Sequence, residues 1–198
     1  MKEKDRKIKG LIFVISGPSG SGKTTLVNRL LDGRDLKNKL VKSTSFTTRP
    51  HRSAEEPGKD YFFITRDEFN ALRSAKKILE WTRYLGYYYG TPKDHIDKQL
   101  KKGKNILLCL DFRGALKIKR LYPGNTVTIF VAAPSLTMLQ KRIEGRCSRT
   151  RKEEIRQRLK LARQEMRNSR KYDYRLVNKS LQKSVGELKN IVLGRLSN

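Results

Sequence analysis

The stretch Gly10-Leu-Ile-Phe-Val-Ile-Ser-Gly17-Pro-Ser-Gly20-Ser-Gly22-Lys23-Thr24-Thr25 restricts what this chain can fold into more than any other segment. The unbroken apolar run from Leu11 to Ile15 reads as a strand buried on both faces, and it stops abruptly at a glycine-rich turn. From Thr24 onward the period changes. Leu26, Leu30 and Leu31, with Val27 between them, mark one face of a helix that begins where the turn ends. Strand, tight turn and helix are the frame in which G-x-x-x-x-G-K-[ST], here Gly17 to Thr24, is expected to wrap phosphate groups. Pointing successive backbone N–H groups at one anion requires positive φ and no obstructing Cβ atoms, which Gly17, Gly20 and Gly22 provide. The helix N-terminus adds partial positive charge aimed at the same place. Lys23 can then reach the β- and γ-phosphates of a triphosphate, and the Thr24 hydroxyl is placed to ligate Mg²⁺.

Strands and helices alternate along the rest of the chain. Leu40 to Ser45 is a short strand candidate, and Thr47 to Asp60, with Pro50, Pro57 and Gly58, is an exposed loop. Tyr61 to Ile64 is strand-like, and Thr65 with Glu68 forms a capping box for a short helix. Ile78 to Trp81 and Tyr84-Leu85 look extended, ending at a turn from Gly86 to Gly90. Thr91 is expected to cap a helix with Pro92 in its first position, ended by Gly103. Asn105 to Leu110 reads as a second buried strand closed by Asp111, a place where such folds keep a carboxylate facing phosphates and metal. A helix from Gly114 to Leu121, a strand from Thr126 to Val131 and a helix opened by Ser135 follow. After a basic interruption come a helix from Glu153 to about Arg170, a strand from Tyr174 to Asn178 and a final helix capped by Ser184 and Glu187.

This alternation predicts an α/β fold, a parallel-sheet core between two layers of helices, with its ligand at the carboxyl ends of the strands. The core is expected in residues 8–44, 92–144 and 171–198, with a small α+β insertion at 45–91. Residues 145–170 are expected to form a mobile lid and the helix after it. Cations at positions 146, 149, 151, 152, 156 and 158 can neutralise charge on transferring phosphates and exclude water. Arg149 and Lys152 are read instead as solvated surface charges.

Composition excludes several classes. The 198 residues suit one domain, no apolar stretch approaches the roughly 20 residues of a spanning helix, and the polar N-terminus does not read as a secretory signal. A cytoplasmic location is expected. Cys109 and Cys147 make no disulfide framework, and His51 and His95 have no cysteine partners at zinc-ligand spacing. The formal net charge of +27 is enough to attract polyanions. The excess is spread along the chain without a nucleic-acid-binding motif, so a basic surface on an enzyme of anionic substrates is favoured over a specific nucleic-acid partner.

Taken in order, Gly17 to Thr24, Ser45-Phe-Thr-Thr-Arg49-Pro-His-Arg52, Gly58-Lys-Asp-Tyr61, Glu80-Trp81, Tyr88-Tyr89-Gly90-Thr91, Leu110-Asp111-Phe-Arg-Gly114 and Arg142-Ile-Glu-Gly-Arg146 resemble the guanylate kinases. The resemblance spans nearly the whole chain and implies a P-loop enzyme that transfers the ATP γ-phosphoryl group to GMP, and to dGMP as a further candidate acceptor, with Mg²⁺. It implies that Gly17, Pro18, Ser19, Gly20, Ser21, Gly22, Lys23, Thr24 and Thr25 bind ATP, with Asn178 near the adenine. It further implies that Arg49, Arg52, Tyr61 and Tyr89 hold the phosphate of GMP while Ser45, Glu80, Thr91 and Asp111 address the guanine. Arg142, Arg146 and Arg158 resemble the arginines that clamp ATP and the transferring group; with Lys23 and Arg49 they make the expected catalytic set. The residue types suit these roles. Arginine forks hold phosphate bidentately, and a carboxylate accepts from guanine N1–H and the N2 amino group. The attacking phosphate oxygen is already ionised, so positioning and charge neutralisation can supply the rate without a general base.

Two features depart from the family's pattern: Cys109 stands where an acidic residue is common, and the segment from Cys147 to Lys152 is longer by one residue and more basic. Rival readings are a phosphokinase of the same fold acting on another small molecule, a peptide-binding scaffold module and a basic nucleic-acid binder. A monomer or a homodimer is expected.

Overall fold

The computed structural model describes residues 10–36, 38–53, 55–145 and 152–197. Two sheets organise them. The larger has the strand order β2-β7-β1-β8-β9, formed by Leu40–Lys42, Asn105–Cys109, Ile12–Ser16, Thr126–Ala132 and Tyr174–Val177. All its pairings are parallel; Ile12, for example, lies opposite Ile106 on one side and Thr126 on the other. Helices cover both faces, which is why β1 is apolar at successive positions rather than at alternate ones. Phe13 and Ile15 pack with Leu26 and Leu30 of α1 (Lys23–Leu31) and with Leu188 and Val192 of α7 (Leu181–Leu196). Ile12 and Val14 point the other way, to Ile96 and Leu100 of α3 (Lys93–Lys101) and Ile118 of α4 (Phe112–Leu121). Each of these four β1 side chains is fully buried, so both faces exclude water.

The smaller sheet has the order β4-β3-β6-β5, from Tyr61–Phe63, Ser45–Thr47, Tyr87–Pro92 and Ile78–Tyr84. It mixes a parallel pair, β3 with β4, with antiparallel pairs, and α2 (Arg66–Ser74) packs on its outer side. The expected capping box opens α2: Thr65 accepts from the Glu68 N–H while Glu68 accepts from that of Thr65. Beyond α5 (Leu136–Glu144) the expected lid, including Arg146, Cys147 and Arg149, lies outside the described residues. Helix α6 (Lys152–Arg167) then packs on α5 through Ile155, Leu159 and Ala162.

The structure corrects four local expectations. Leu40 to Ser45 is not one strand: β2 ends at Lys42 in the larger sheet and β3 begins at Ser45 in the smaller, so the chain changes sheets there. The expected turn from Gly86 to Gly90 is only Leu85-Gly86, and its three tyrosines belong to β6. Gly90 is needed inside the strand because a Cβ there would lie 2.8 Å from Ile78 and 3.1 Å from the Phe69 ring. Thr91 does not cap α3, which starts from Pro92 without a side-chain cap; the Thr91 hydroxyl is turned to Glu80 instead. Helix α7 begins at Leu181, so Ser184 is a buried residue within it rather than its cap. In the last two cases a hydroxyl that matched a local capping pattern was taken by a tertiary environment.

Candidate active site

The carboxyl ends of β1 and β7 and the inner face of the smaller sheet enclose a cavity of about 1100 Å³. At one end lies the glycine turn. Gly17, Gly20 and Gly22 have φ of 139°, 85° and 93°. At Gly17 the second constraint is packing, since a Cβ would sit 2.2 Å from the Val131 carbonyl oxygen. Gly22 is equally closed by Asn178, whose side-chain N–H donates to the Ser21 carbonyl at 2.9 Å. Ser19, Gly20, Gly22, Lys23 and Thr24 line the cavity. Lys23 folds back, its Nζ donating to the Gly17 and Pro18 carbonyls at 2.5 and 2.9 Å.

Two residues assigned to the ATP side act from behind the turn. Asn178 is buried and braces Ser21, with its own carbonyl accepting from Arg142 Nη2 at 3.1 Å. Arg142 Nη1 is buried and has no hydrogen-bond partner among the described residues. Arg158, on α6, reaches the turn directly: its Nη1 donates to Ser19 Oγ at 2.7 Å, while Nε and Nη2 are held by Glu154.

At the other end the smaller sheet contributes Ser45, Tyr61, Glu80, Thr82 and Tyr89, and the loop after β3 contributes Arg49 and Arg52. Arg49 is held by its neighbours. Its Nη2 donates to both Glu55 oxygens at 2.7 and 2.9 Å, its Nη1 to the Pro50 carbonyl at 2.7 Å, and its guanidinium carbon lies 5.5 Å from the Tyr61 ring centre. Burial works against its charge, but the Glu55 hydrogen bond and the neighbouring Tyr89 outweigh that cost and hold its pKa above the ordinary arginine value. The Tyr61 hydroxyl, pushed up to about 12 by burial and by Tyr89, remains a hydrogen-bond donor at neutral pH.

Glu80 is the most unusual acid in the cavity. It is 6% exposed, accepts from the Thr91 hydroxyl at 2.5 Å and lies across from Asp111. Burial is the main force raising its pKa to about 7; Thr91 opposes the rise and Asp111 adds to it. Asp111 itself caps α4, accepting from the Gly114 N–H at 2.8 Å, and the missing side chain of Gly114 leaves room for Glu80, whose Oε2 would lie 2.7 Å from a Cβ there. Asp111 thus stands beside Glu80 at the end of β7; Ser45, Glu80 and Asp111 line the cavity, while Thr91 is buried behind Glu80, to which its hydroxyl donates.

Three cavity residues had no signal in the sequence. Glu55 holds Arg49, Tyr84 closes β5 beside the glycine turn, and Glu165 of α6 enters from the opposite side. The Glu165 carboxyl is raised by burial, an effect Lys23 opposes and Asp111 reinforces. Its sequence neighbourhood is a charged helix, and only the packing of α6 shows that this position faces inward. Cys109 also lines the cavity, its thiol raised by burial against the pull of Lys23 and Lys42.

The family model for guanylate kinase matches residues 9–194. The chain belongs to the guanylate kinase family. It is 42% identical to the guanylate kinase of Mycoplasma genitalium over 184 residues, covering 93% of this chain and 75% of that protein. It is 40% identical to a guanylate kinase of Bacillus cereus over 189 residues, covering 96% and 90% respectively. The crystal structure of guanylate kinase from Anaplasma phagocytophilum matches with a TM-score of 0.80 at 33% identity, covering 97% of this chain and 89% of that one. Family membership extends over the glycine turn, the smaller sheet and the helices between them, so both ends of the cavity fall within the matched region.

Proposed function

We propose that the protein transfers the γ-phosphoryl group of ATP to GMP, giving ADP and GDP. The observation that carries this reading is the single cavity with a glycine turn at one end and, at the other, an arginine fork leading to a buried carboxylate. ATP lies with its β- and γ-phosphates in the backbone N–H groups of residues 17–24, reached by Lys23. The GMP phosphate takes the Arg49 and Arg52 guanidinium groups with the Tyr61 and Tyr89 hydroxyls, and the guanine takes Glu80, with Ser45, Thr91 and Asp111 around it. Lys23, Arg142, Arg146 and Arg158 neutralise charge as the phosphoryl group moves, and the acceptor oxygen attacks without losing a proton.

The oxygen donors present fit Mg²⁺. Thr24 offers a hydroxyl beside the phosphate end, and among the described residues no group of three or more His, Cys, Asp or Glu forms an all-protein cage, which suits an ion carried mainly by phosphates and water. Thr24 would hold the ion, which when bound would supply positive charge to offset that of the triphosphate. We further read residues 45–91 as the acceptor-binding part and 145–170 as a lid with its helix. Among the described residues no helix is long and apolar enough to cross a membrane, and we place the enzyme in the cytoplasm without a specific nucleic-acid partner.

ADP release measured by a coupled assay with GMP, AMP, UMP and ribose bisphosphate in parallel tests the reaction. Turnover strongly preferring GMP is expected; equal or greater turnover with another acceptor would overturn the reading. On the acceptor side, Arg49→Ala and Arg52→Ala should each raise the KM for GMP much more than that for ATP, and added salt should raise the GMP constant in the unmutated enzyme. A change confined to the ATP constant would show that donor and acceptor ends have been interchanged.

The raised pKa of Glu80 gives a pH signature. Only the ionised carboxylate accepts from both guanine donors, so apparent GMP affinity scales with the ionised fraction. For a group titrating at about 7, lowering the pH from 8 to 6.5 should weaken GMP binding about fourfold. That window stays above the second phosphate pKa, about 6. GMP affinity that is flat across it, measured by calorimetry, would place the guanine elsewhere.

A further inference from the structure

Tyr84 joins three parts of the molecule that no role above connects. It is the last residue of β5 and shares the cavity face with Glu80 and Thr82, so this one strand reaches from the acceptor corner towards the glycine turn, about 13 Å over four residues. The hairpin behind it is tight. Tyr84 pairs with Tyr87, and Leu85 and Gly86 take φ of 48° and 87°. Positive φ at both turn residues matches the strand twist, although a leucine is strained there. At the far end of its side chain, the Tyr84 hydroxyl faces Ser19 in the glycine turn, which works against the rise in its pKa that burial causes. The Arg158 guanidinium donates to the Ser19 hydroxyl oxygen at 2.7 Å, and its carbon lies 5.9 Å from the centre of the Tyr84 ring.

We propose that Tyr84 is a positioning residue that sets the Arg158 guanidinium against the glycine turn and ties this arrangement to the acceptor-binding sheet. The inference rests on the reading of Arg158 as a donor-phosphate contact. An arginine on a helix has many rotamers, and holding its fork in one of them loses side-chain entropy that fixed neighbours offset. Glu154 supplies one neighbour; the Tyr84 ring and the Ser19 hydroxyl supply the others. Because Tyr84 belongs to the smaller sheet while Ser19 and Arg158 do not, correct placement of the donor arginine requires the two sides of the cavity to be drawn together. Tyr84 touches none of Arg49, Arg52 or Glu80 through any hydrogen bond, so its removal should be felt at the donor phosphates rather than in GMP affinity.

Steady-state kinetics on Tyr84→Phe, Tyr84→Ala, Arg158→Ala and the double variant Tyr84→Ala/Arg158→Ala test this, with melting curves for each. Tyr84→Ala is expected to lower kcat about tenfold with the KM for GMP within about twofold of the unmutated enzyme. Tyr84→Phe, which keeps the ring under the guanidinium, should recover most of the loss. In the Arg158→Ala background, Tyr84→Ala should cost almost nothing more, because two residues acting through one contact are not additive. A full additional tenfold loss in the double variant, or an unchanged kcat in Tyr84→Ala, would overturn the proposal while leaving the ATP:GMP reading intact. Should Tyr84→Ala fail to fold, Tyr84→Phe and Tyr84→Leu carry the same comparison. Unchanged kcat in Arg158→Ala would overturn the donor role of Arg158 and this inference with it, and turnover independent of GMP would overturn the function itself.

Discussion

Glu80→Gln is expected to retain ATP binding and the fold, to lose most activity with GMP and to shrink the GMP:AMP preference by orders of magnitude. The carboxylate is 6% exposed, with one oxygen already accepting from Thr91, so water cannot substitute for a lost partner. Guanine presents N1–H and an N2 amino group, both donors, whereas adenine presents an unprotonated N1 whose lone pair would face the carboxylate oxygens. Rejection therefore comes from repulsion as well as from unmade hydrogen bonds. A site built on such polar pairing can discriminate by roughly 10⁴ or more, beyond what shape supplies. In the glutamine variant an amide N–H₂ turns donor against donor, or the amide flips and gives up the Thr91 bond. The ratio of kcat/KM for GMP and AMP measures the change, and a full preference in Glu80→Gln would move guanine recognition to Ser45 and Asp111. Stability should move the opposite way. The Glu80 pKa lies at about 7 in the fold against 4.5 in an unstructured chain, so the folded state binds more protons between those values and loses stability as pH rises through them. Glu80→Gln is free of this cost and should gain on the unmutated protein, by on the order of 2–3 kcal/mol, between pH 5 and pH 8 in denaturant unfolding.

Lys23→Ala should lower kcat at least about a hundredfold, a loss on the scale of about 3 kcal/mol for one preorganised charge contact. Its melting curve should stay close to that of the unmutated protein. Nζ donates to the Gly17 and Pro18 carbonyls of its own turn, contacts within one short segment that no other element depends on. The turn itself is held by other means: positive φ at three glycines, the Asn178 amide on Ser21 and the Val131 strand against Gly17. Near-normal turnover with an unchanged melting curve would remove Lys23 from the donor site, and with it the assignment of the glycine turn to the triphosphate.

What could be read from the sequence shares one property: its physics is local. The run from Leu11 to Ile15, the glycines after it and the period of the following helix are determined within one strand, one turn and one helix, and the structure keeps all three. The same holds for the buried strand before Asp111 and the capping box at Thr65. The ordered motifs carried the residues proposed for the acceptor as well, because Arg49, Glu80 and Thr91 stand on short segments at recognisable spacing. Local reading failed where a residue had two possible partners. Thr91 could cap a helix or meet a buried carboxylate, and burying Glu80 made the second the more valuable bond. Three successive tyrosines looked like a turn between two glycines until Phe69 and Ile78 closed over Gly90 and made the second glycine part of a strand. Glu55, Tyr84 and Glu165 were invisible for a further reason. Alternation along β5 or the period of α6 says which residues share a face, but what that face meets is decided by segments far away in sequence: the glycine turn for Tyr84, Lys23 and Asp111 for Glu165. The sequence by itself therefore determined the glycine turn, the parallel core and the residue types at both ends of the cavity. Only the tertiary structure decided which acids are buried, which arginines are held by their neighbours and which side chains span the cavity, because desolvation and convergence are properties of packing rather than of any single segment.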